Sequence, residues 1–147
     1  MAVGGTYTLL VHLGADVSID VGALGTRSFE TGWYAYVGSA LGPGGFSRID
    51  RHRELAAGER DVRHWHIDYL LGHPETTLES VVRTPDCDGE CAIAQQLTEA
   101  CQGGGVVDGS AIAEFGCTDC SCDSHLFFAR DGESLRESVQ AAHQTFR

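Results

Sequence analysis

Lysine and asparagine are absent from this chain, and of its 147 residues only 3 are proline and 1 is methionine. Without lysine, all 10 basic residues are arginine, set against 21 acidic ones for a formal net charge of −11. Acid-rich, lysine-free surfaces are typical of proteins that work in very high cytoplasmic salt. The plainer alternative is an acidic protein from a GC-rich genome. No apolar run approaches the roughly 20 residues that a membrane span needs. The opening MAVGGTYTLLVHLG has neither a basic n-region nor a cleavage site, so a cytoplasmic protein with no membrane partner is expected. There is no internal repeat and no linker long enough to separate domains, so residues 1–147 are expected to form a single domain. An apolar content of 42% is too high for a disordered chain and suffices for a core.

The charge that is present is unevenly placed. Residues 48–63 hold five of the ten arginines (48, 51, 53, 60 and 63), next to His52 and His64, whereas residues 64–147 hold fourteen acids and four arginines. An acidic protein repels polyanions, so a phosphate-binding site in it needs a local exception of this kind. In molar salt the screening length falls to about 3 Å, and local contacts then outweigh distant acids. The plain alternative is that Arg48, Arg51 and Arg53 form an ordinary solvated helix face.

TYTLLVHL at 6–13 is β-branched and apolar, as a buried strand is. VSIDV alternates cleanly, GALGT reads as a turn, RSFET as a short return strand, and GWYAYVGSA as an aromatic-rich strand. The first quarter is therefore expected to be an antiparallel meander of three or four strands. GPGG at 42–45 breaks the chain. FSRIDRHRELAAG then reads as a helix with Phe46, Ile49 and Leu55 inward and Gly58 as its stop. On it Arg48, Arg51 and His52 stand at i, i+3 and i+4 and share a face. HWHIDYLLGHP is a short helical or extended segment ended by Pro74. TLESVVRT is a strand, and GECAIAQQLTEAC a helix with Ala92, Ile93 and Leu97 inward. SHLFFAR is a closing strand, and a terminal helix follows over about 134–146. This order predicts an α+β fold.

GTY at Gly5–Tyr7 and YVG at Tyr36–Gly38, followed ten residues after that glycine by Arg48 and then by His52, resemble the GIY-YIG nuclease superfamily. GTYTLLVHL, YAYVGSAL, RIDRHR, HWHIDYLL, ECAIA and FGCTDCSCDSHLFF, in this order, resemble an archaeal GIY-YIG-like family long described as a domain of unknown function. Some members of that family are fused to DNA-repair enzymes. The resemblance covers about residues 4–130. It implies a small, mostly antiparallel sheet flanked by helices, with residues 15–31 as an inserted hairpin and a cysteine-rich loop, strand and helix at the C-terminal end.

The resemblance also implies an activity: hydrolysis of nucleic-acid phosphodiesters, DNA foremost, with one Mg²⁺ or Mn²⁺. In that scheme Tyr36 helps activate water, Arg48 contacts phosphate, His52 assists proton transfer, Tyr7 joins the site and Gly38 forms the close turn. The chemistry is coherent. Phenol and imidazole move protons, guanidinium spans two phosphate oxygens, and a hard cation polarises the phosphoryl group. The metal-binding glutamate corresponds to Glu90, or else Gln95 stands at that position; the asparagine that often accompanies the site has no counterpart. Arg51, His66 and Asp68 are candidates for phosphate binding or support. For His66 and Asp68 the favoured reading is internal hydrogen bonding that anchors the helix of Arg48.

There are 6 cysteines, at 87, 91, 101, 117, 120 and 122, and a cytoplasmic chain is not expected to pair them as disulfides. Cys91, Cys120, Cys122 and His125 match the family pattern, and such a set could hold a structural Zn²⁺. Buried, metal-free cysteines are an equal alternative. Two further functions stay open beside the nuclease: a non-catalytic nucleic-acid-binding module, and a structural zinc or partner-binding protein.

Overall fold

The computed structural model describes residues 4–21, 25–40, 45–59, 66–85, 89–101, 109–111 and 125–144. Within these stand seven strands and four helices. They run β1 (Gly5–Leu13), β2 (Val17–Asp20), β3 (Thr26–Phe29), β4 (Gly32–Ser39), α1 (Ser47–Ala56), α2 (His66–Leu71), β5 (Thr76–Pro85), α3 (Glu90–Cys101), β6 (Gly109–Ala111), β7 (Leu126–Ala129) and α4 (Gly132–Gln144). A five-stranded sheet has the order β5-β1-β4-β7-β6, and β2 and β3 form a separate two-stranded sheet. Every pairing is antiparallel. The fold is α+β, as the order of motifs predicts.

The expected meander needs correction. β1 pairs directly with β4, and β2–β3 is a hairpin inserted between them in sequence. The reason is burial. β1 is buried along nearly its whole length, and β4, buried or half-buried at every position, lies in the sheet's interior beside it. In β2, Ser18 and Asp20 are exposed and only Ile19 is buried, while in β3 only Phe29 is. The hairpin puts Ile19 and Phe29 into the core and forms its own two-stranded sheet. Asp16 closes the base of the hairpin by accepting hydrogen bonds from the backbone N–H (2.7 Å) and hydroxyl (2.9 Å) of Thr31. Those bonds hold the Asp16 carboxyl below its ordinary pKa.

Alternation along β1 splits the core in two. Tyr7, Leu9, Val11 and Leu13 point to one face, which α1, α2 and the hairpin cover through Ile49, Leu55, Ile67, Leu70 and Phe29. Leu10 points to the other face and meets Ala35, Val37, Ile93, Leu97, Leu135 and Val139 under α3 and α4. Each fully buried aliphatic side chain contributes about 1.5–3 kcal/mol, so both faces are needed to hold the sheet.

The helices follow their apolar stripes. α1 buries Ile49 and Leu55, and its C-terminal turn ends at Gly58, whose φ of +78° other residues rarely adopt. α2 is a helix and stops before Pro74. On α3, Ala92 is exposed, contrary to expectation, and Ala94 is buried with Ile93 and Leu97. Positions 93, 94 and 97 form one stripe at 3.6 residues per turn, and 92 falls outside it. β6 has no sequence signal. It is three residues in a glycine-rich stretch and takes its conformation from pairing with β7.

Candidate functional site

The first-face end of the sheet gathers the motif residues. Tyr7 and Gly38 are directly opposed in the β1–β4 register, and Tyr36 lies two positions further along on the same face, opposite Leu9. Gly38 stands within β4 and not at a turn, and the reason for glycine there is steric. A Cβ there would lie 2.5 Å from Cζ and Oη of Tyr7. The Tyr7 ring therefore crosses the space a side chain would fill.

Across that space the phenol meets α1. Tyr7 Oη and His52 Nε2 are 2.8 Å apart although the residues are 45 positions apart in sequence. Both are buried, each 1% exposed. Tyr36 is half-buried and stands edge-on to the His52 ring, centroids 6.3 Å apart. The other ring nitrogen of His52, Nδ1, is 3.9 Å from Oδ1 of Asp68.

Asp68 is fully buried and joins α2 to α1. Its carboxylate accepts two bonds from Arg51, Nη1 to Oδ1 at 3.1 Å and Nη2 to Oδ2 at 2.8 Å. This is the fork geometry that arginine makes with carboxylates. Asp68 is thus an anchor for the helix that carries Arg48. Arg51, a candidate for phosphate, is engaged with a carboxylate inside the protein.

Arg48 is the second residue of α1, His66 the first of α2 and Glu90 the first of α3, with Cys91 beside it. Their side chains lie outside the described residues, as do Cys120 and Cys122 entirely. Glu90 opens a helix that packs on the second face of the sheet. Its neighbour Gly89 donates its N–H to Oγ1 of Thr6 at 2.9 Å, which fixes the start of α3 at the Tyr7 end of β1. His125 is buried just before β7, and its carbonyl accepts the N–H of Val37 at 2.9 Å. Of the four residues proposed for zinc, it is the one whose side chain is described.

The described side chains do not form a cradle for a hard divalent cation. Such an ion takes oxygen ligands, but both oxygens of Asp68 are on Arg51, and the Tyr7 phenol is on His52.

Two features carry no sequence signal. Arg83 on β5 is directly opposite Tyr7 in the β1–β5 register, so Arg83, Tyr7 and Gly38 form one row across three strands. Its guanidinium lies over the ring of Phe46, 5.5 Å from the centroid. On the second face, His143 of α4 is buried between two hydroxyls, Nε2 2.8 Å from Thr8 Oγ1 and Nδ1 2.9 Å from Thr84 Oγ1. Strand register brings Arg83 to Tyr7, and the packing of α4 on the sheet brings His143 to Thr8 and Thr84.

Among the described residues no helix is long and apolar enough to cross a membrane. No curated protein and no solved structure matches the chain. A comparison with family models matches residues 6–147 to the domain of unknown function DUF123. The match spans nearly the whole chain, from the first strand to the last residue, and the chain belongs to the DUF123 family.

Proposed function

We propose that this domain binds nucleic acid, DNA foremost, at the Tyr7 end of the first face and hydrolyses its phosphodiester bonds in the manner of the GIY-YIG nucleases, in a DNA-repair setting. The observation that carries the reading is the Tyr7–His52 bond. Two residues of separate motifs meet at 2.8 Å, in space that Gly38 leaves, on the helix that carries Arg48. Hydrolysis adds a water oxygen to phosphorus and expels a sugar oxygen, so one proton must leave the water and one must reach the leaving group. Phenol and imidazole in contact are suited to holding and moving such protons. Tyr36, half-buried beside His52, is the member of the set with access to solvent. His52 supports it from below, and Asp68 and Arg51 hold α1 in place. Arg48 takes the phosphate in this reading.

Dependence on Mg²⁺ or Mn²⁺ belongs to the same proposal, with Glu90 as the expected ligand. A structural Zn²⁺ on Cys91, Cys120, Cys122 and His125 is a separable part of it. Metal analysis of protein expressed with ample zinc reads one zinc per chain if those residues hold it, and none if they do not.

A second reading is favoured by one observation. Tyr7 and His52 are each 1% exposed, as scaffold residues of a non-catalytic nucleic-acid-binding module would be. The test is a panel of branched, nicked and single-stranded DNA incubated in high salt with Mg²⁺ or Mn²⁺. The nuclease reading expects product from the wild type and none from Tyr36→Phe or Glu90→Gln. Binding that falls with Arg48→Ala, with no product under any condition, leaves the module reading. Neither binding nor product sinks both.

A further inference from the structure

We propose that Arg83 is a second phosphate-binding residue of this site, fixing the nucleic-acid backbone beside the phosphate that Arg48 contacts. The inference rests on the nucleic-acid reading above and deepens it. Arg83 lies outside the arginine-rich stretch at 48–63, on the edge strand β5. The register nevertheless puts it in one row with Tyr7 and Gly38. It is on the same face as Tyr7, because directly opposed residues of antiparallel strands share a face, and its position over Phe46 agrees with that.

Three properties fit a backbone phosphate. Arg83 is exposed at the margin of a buried cluster, so its charge reaches solvent where Tyr7 and His52 do not. Stacking on Phe46, 5.5 Å to the ring centroid, restricts the guanidinium before any ligand arrives, which lowers the entropy lost on binding. Phe46 in turn leads directly into α1, its carbonyl accepting the N–H of Ile49 at 2.9 Å, so Arg83 is tied to the helix that carries Arg48. The planar fork of arginine matches two phosphate oxygens. From Arg83 to Tyr36 the sheet crosses two strand spacings, about 10 Å, so the two residues lie along a path of backbone and not at a single phosphate. In a chain of net charge −11, a fixed cation at that place is what keeps a polyanion on the site.

The test measures binding of a labelled nicked DNA duplex over a series of salt concentrations, without added divalent cation. It uses wild type, Arg83→Ala, Arg83→Lys, Arg48→Ala and, as a control on the other face, Arg136→Ala. Circular dichroism confirms that each variant is folded. The expected result is an affinity loss of about tenfold for Arg83→Ala and a salt dependence shallower by about one unit of log–log slope. Arg83→Lys keeps the slope but binds several-fold more weakly, because lysine keeps the charge and loses the fork. Arg136→Ala is unchanged. If the wild type and Arg48→Ala differ but Arg83→Ala binds like the wild type with the same slope, the inference fails and the nucleic-acid reading stands. If Arg136→Ala weakens binding as much as Arg83→Ala, general charge explains the effect and the inference fails. If the wild type binds nothing, the reading and the inference fall together.

Discussion

Each face of the sheet buries a histidine against one of two consecutive residues of β1. On the first face Tyr7 meets His52; on the second Thr8 meets His143. Both imidazoles are within 1% of full burial, yet their surroundings differ. His143 meets a hydroxyl at each ring nitrogen, Thr8 and Thr84, and both of these residues are buried. His52 sits in a series of polar groups with a direction. Behind it are Asp68 and Arg51; ahead are Tyr7, the missing side chain at Gly38, half-buried Tyr36 and exposed Arg83. A buried histidine alone therefore says little about function. What distinguishes the two is whether the polar series ends in the core or leads to the surface.

Substitutions separate the roles of the two faces. The largest loss is expected for Asp68→Ala, which leaves Arg51 without its buried carboxylate. Removing one partner of such a pair costs about 3 kcal/mol, read as a fall in urea midpoint, and it loosens α1 so that activity falls as well. A smaller cost for Asp68→Ala than for a typical surface change would show that the clamp is not structural. Gly38→Ala follows. The new methyl meets the Tyr7 ring, and overpacking of this kind costs about 1–3 kcal/mol; the Tyr7–His52 bond is displaced with it.

Glutamine at either histidine position keeps a polar group near Nε2 but cannot carry a proton as imidazole does. Each change is expected to cost about 1–2 kcal/mol of stability through an imperfectly satisfied buried group. Only His52→Gln is expected to abolish cleavage.

The smallest effect belongs to Tyr34, whose hydroxyl donates to the carbonyl of Glu30 at 2.7 Å. Tyr34→Phe removes one hydrogen bond, about 1 kcal/mol. Burial, aided by the charge of Glu30, pushes the Tyr34 phenol above its ordinary pKa. The folded pKa lies above the unfolded one, so this stabilisation is full below about pH 10 and is lost as pH rises beyond it. In Tyr34→Phe the alkaline decline in stability is correspondingly shallower.

Much of the fold is legible in the sequence because periodicity reports burial. β1, β4, β5, α1 and α4 stand where the patterns of TYTLLVHL, GWYAYVGSA, TLESVVRT, SRIDRHREL and SLRESVQAAHQ put them. The pairing of β1 with β4 was legible only through the motif resemblance, since local alternation favours a meander and says nothing of which strands meet. Within the site, the convergence of Tyr7, Gly38 and His52 and the anchoring role of Asp68 follow from motifs that keep their spacing. Arg83 and His143 do not, because a cross-strand neighbour 76 residues away and a helix-to-strand contact across 135 residues leave no local trace. Arg51 shows the opposite error of sequence reasoning. Its place in an arginine cluster suggests phosphate, whereas a carboxylate on the next helix occupies its fork.

In the proposed function the Tyr7–His52 face performs phosphodiester hydrolysis and the Thr8–His143 face only supports the fold. The most direct measurement is single-turnover cleavage of a labelled nicked or branched DNA, in high salt with Mg²⁺ or Mn²⁺, by wild type, His52→Gln and His143→Gln at matched folded fraction. Product from the wild type and from His143→Gln, with none from His52→Gln, is the predicted result. Equal product from both variants, or none from the wild type, contradicts it.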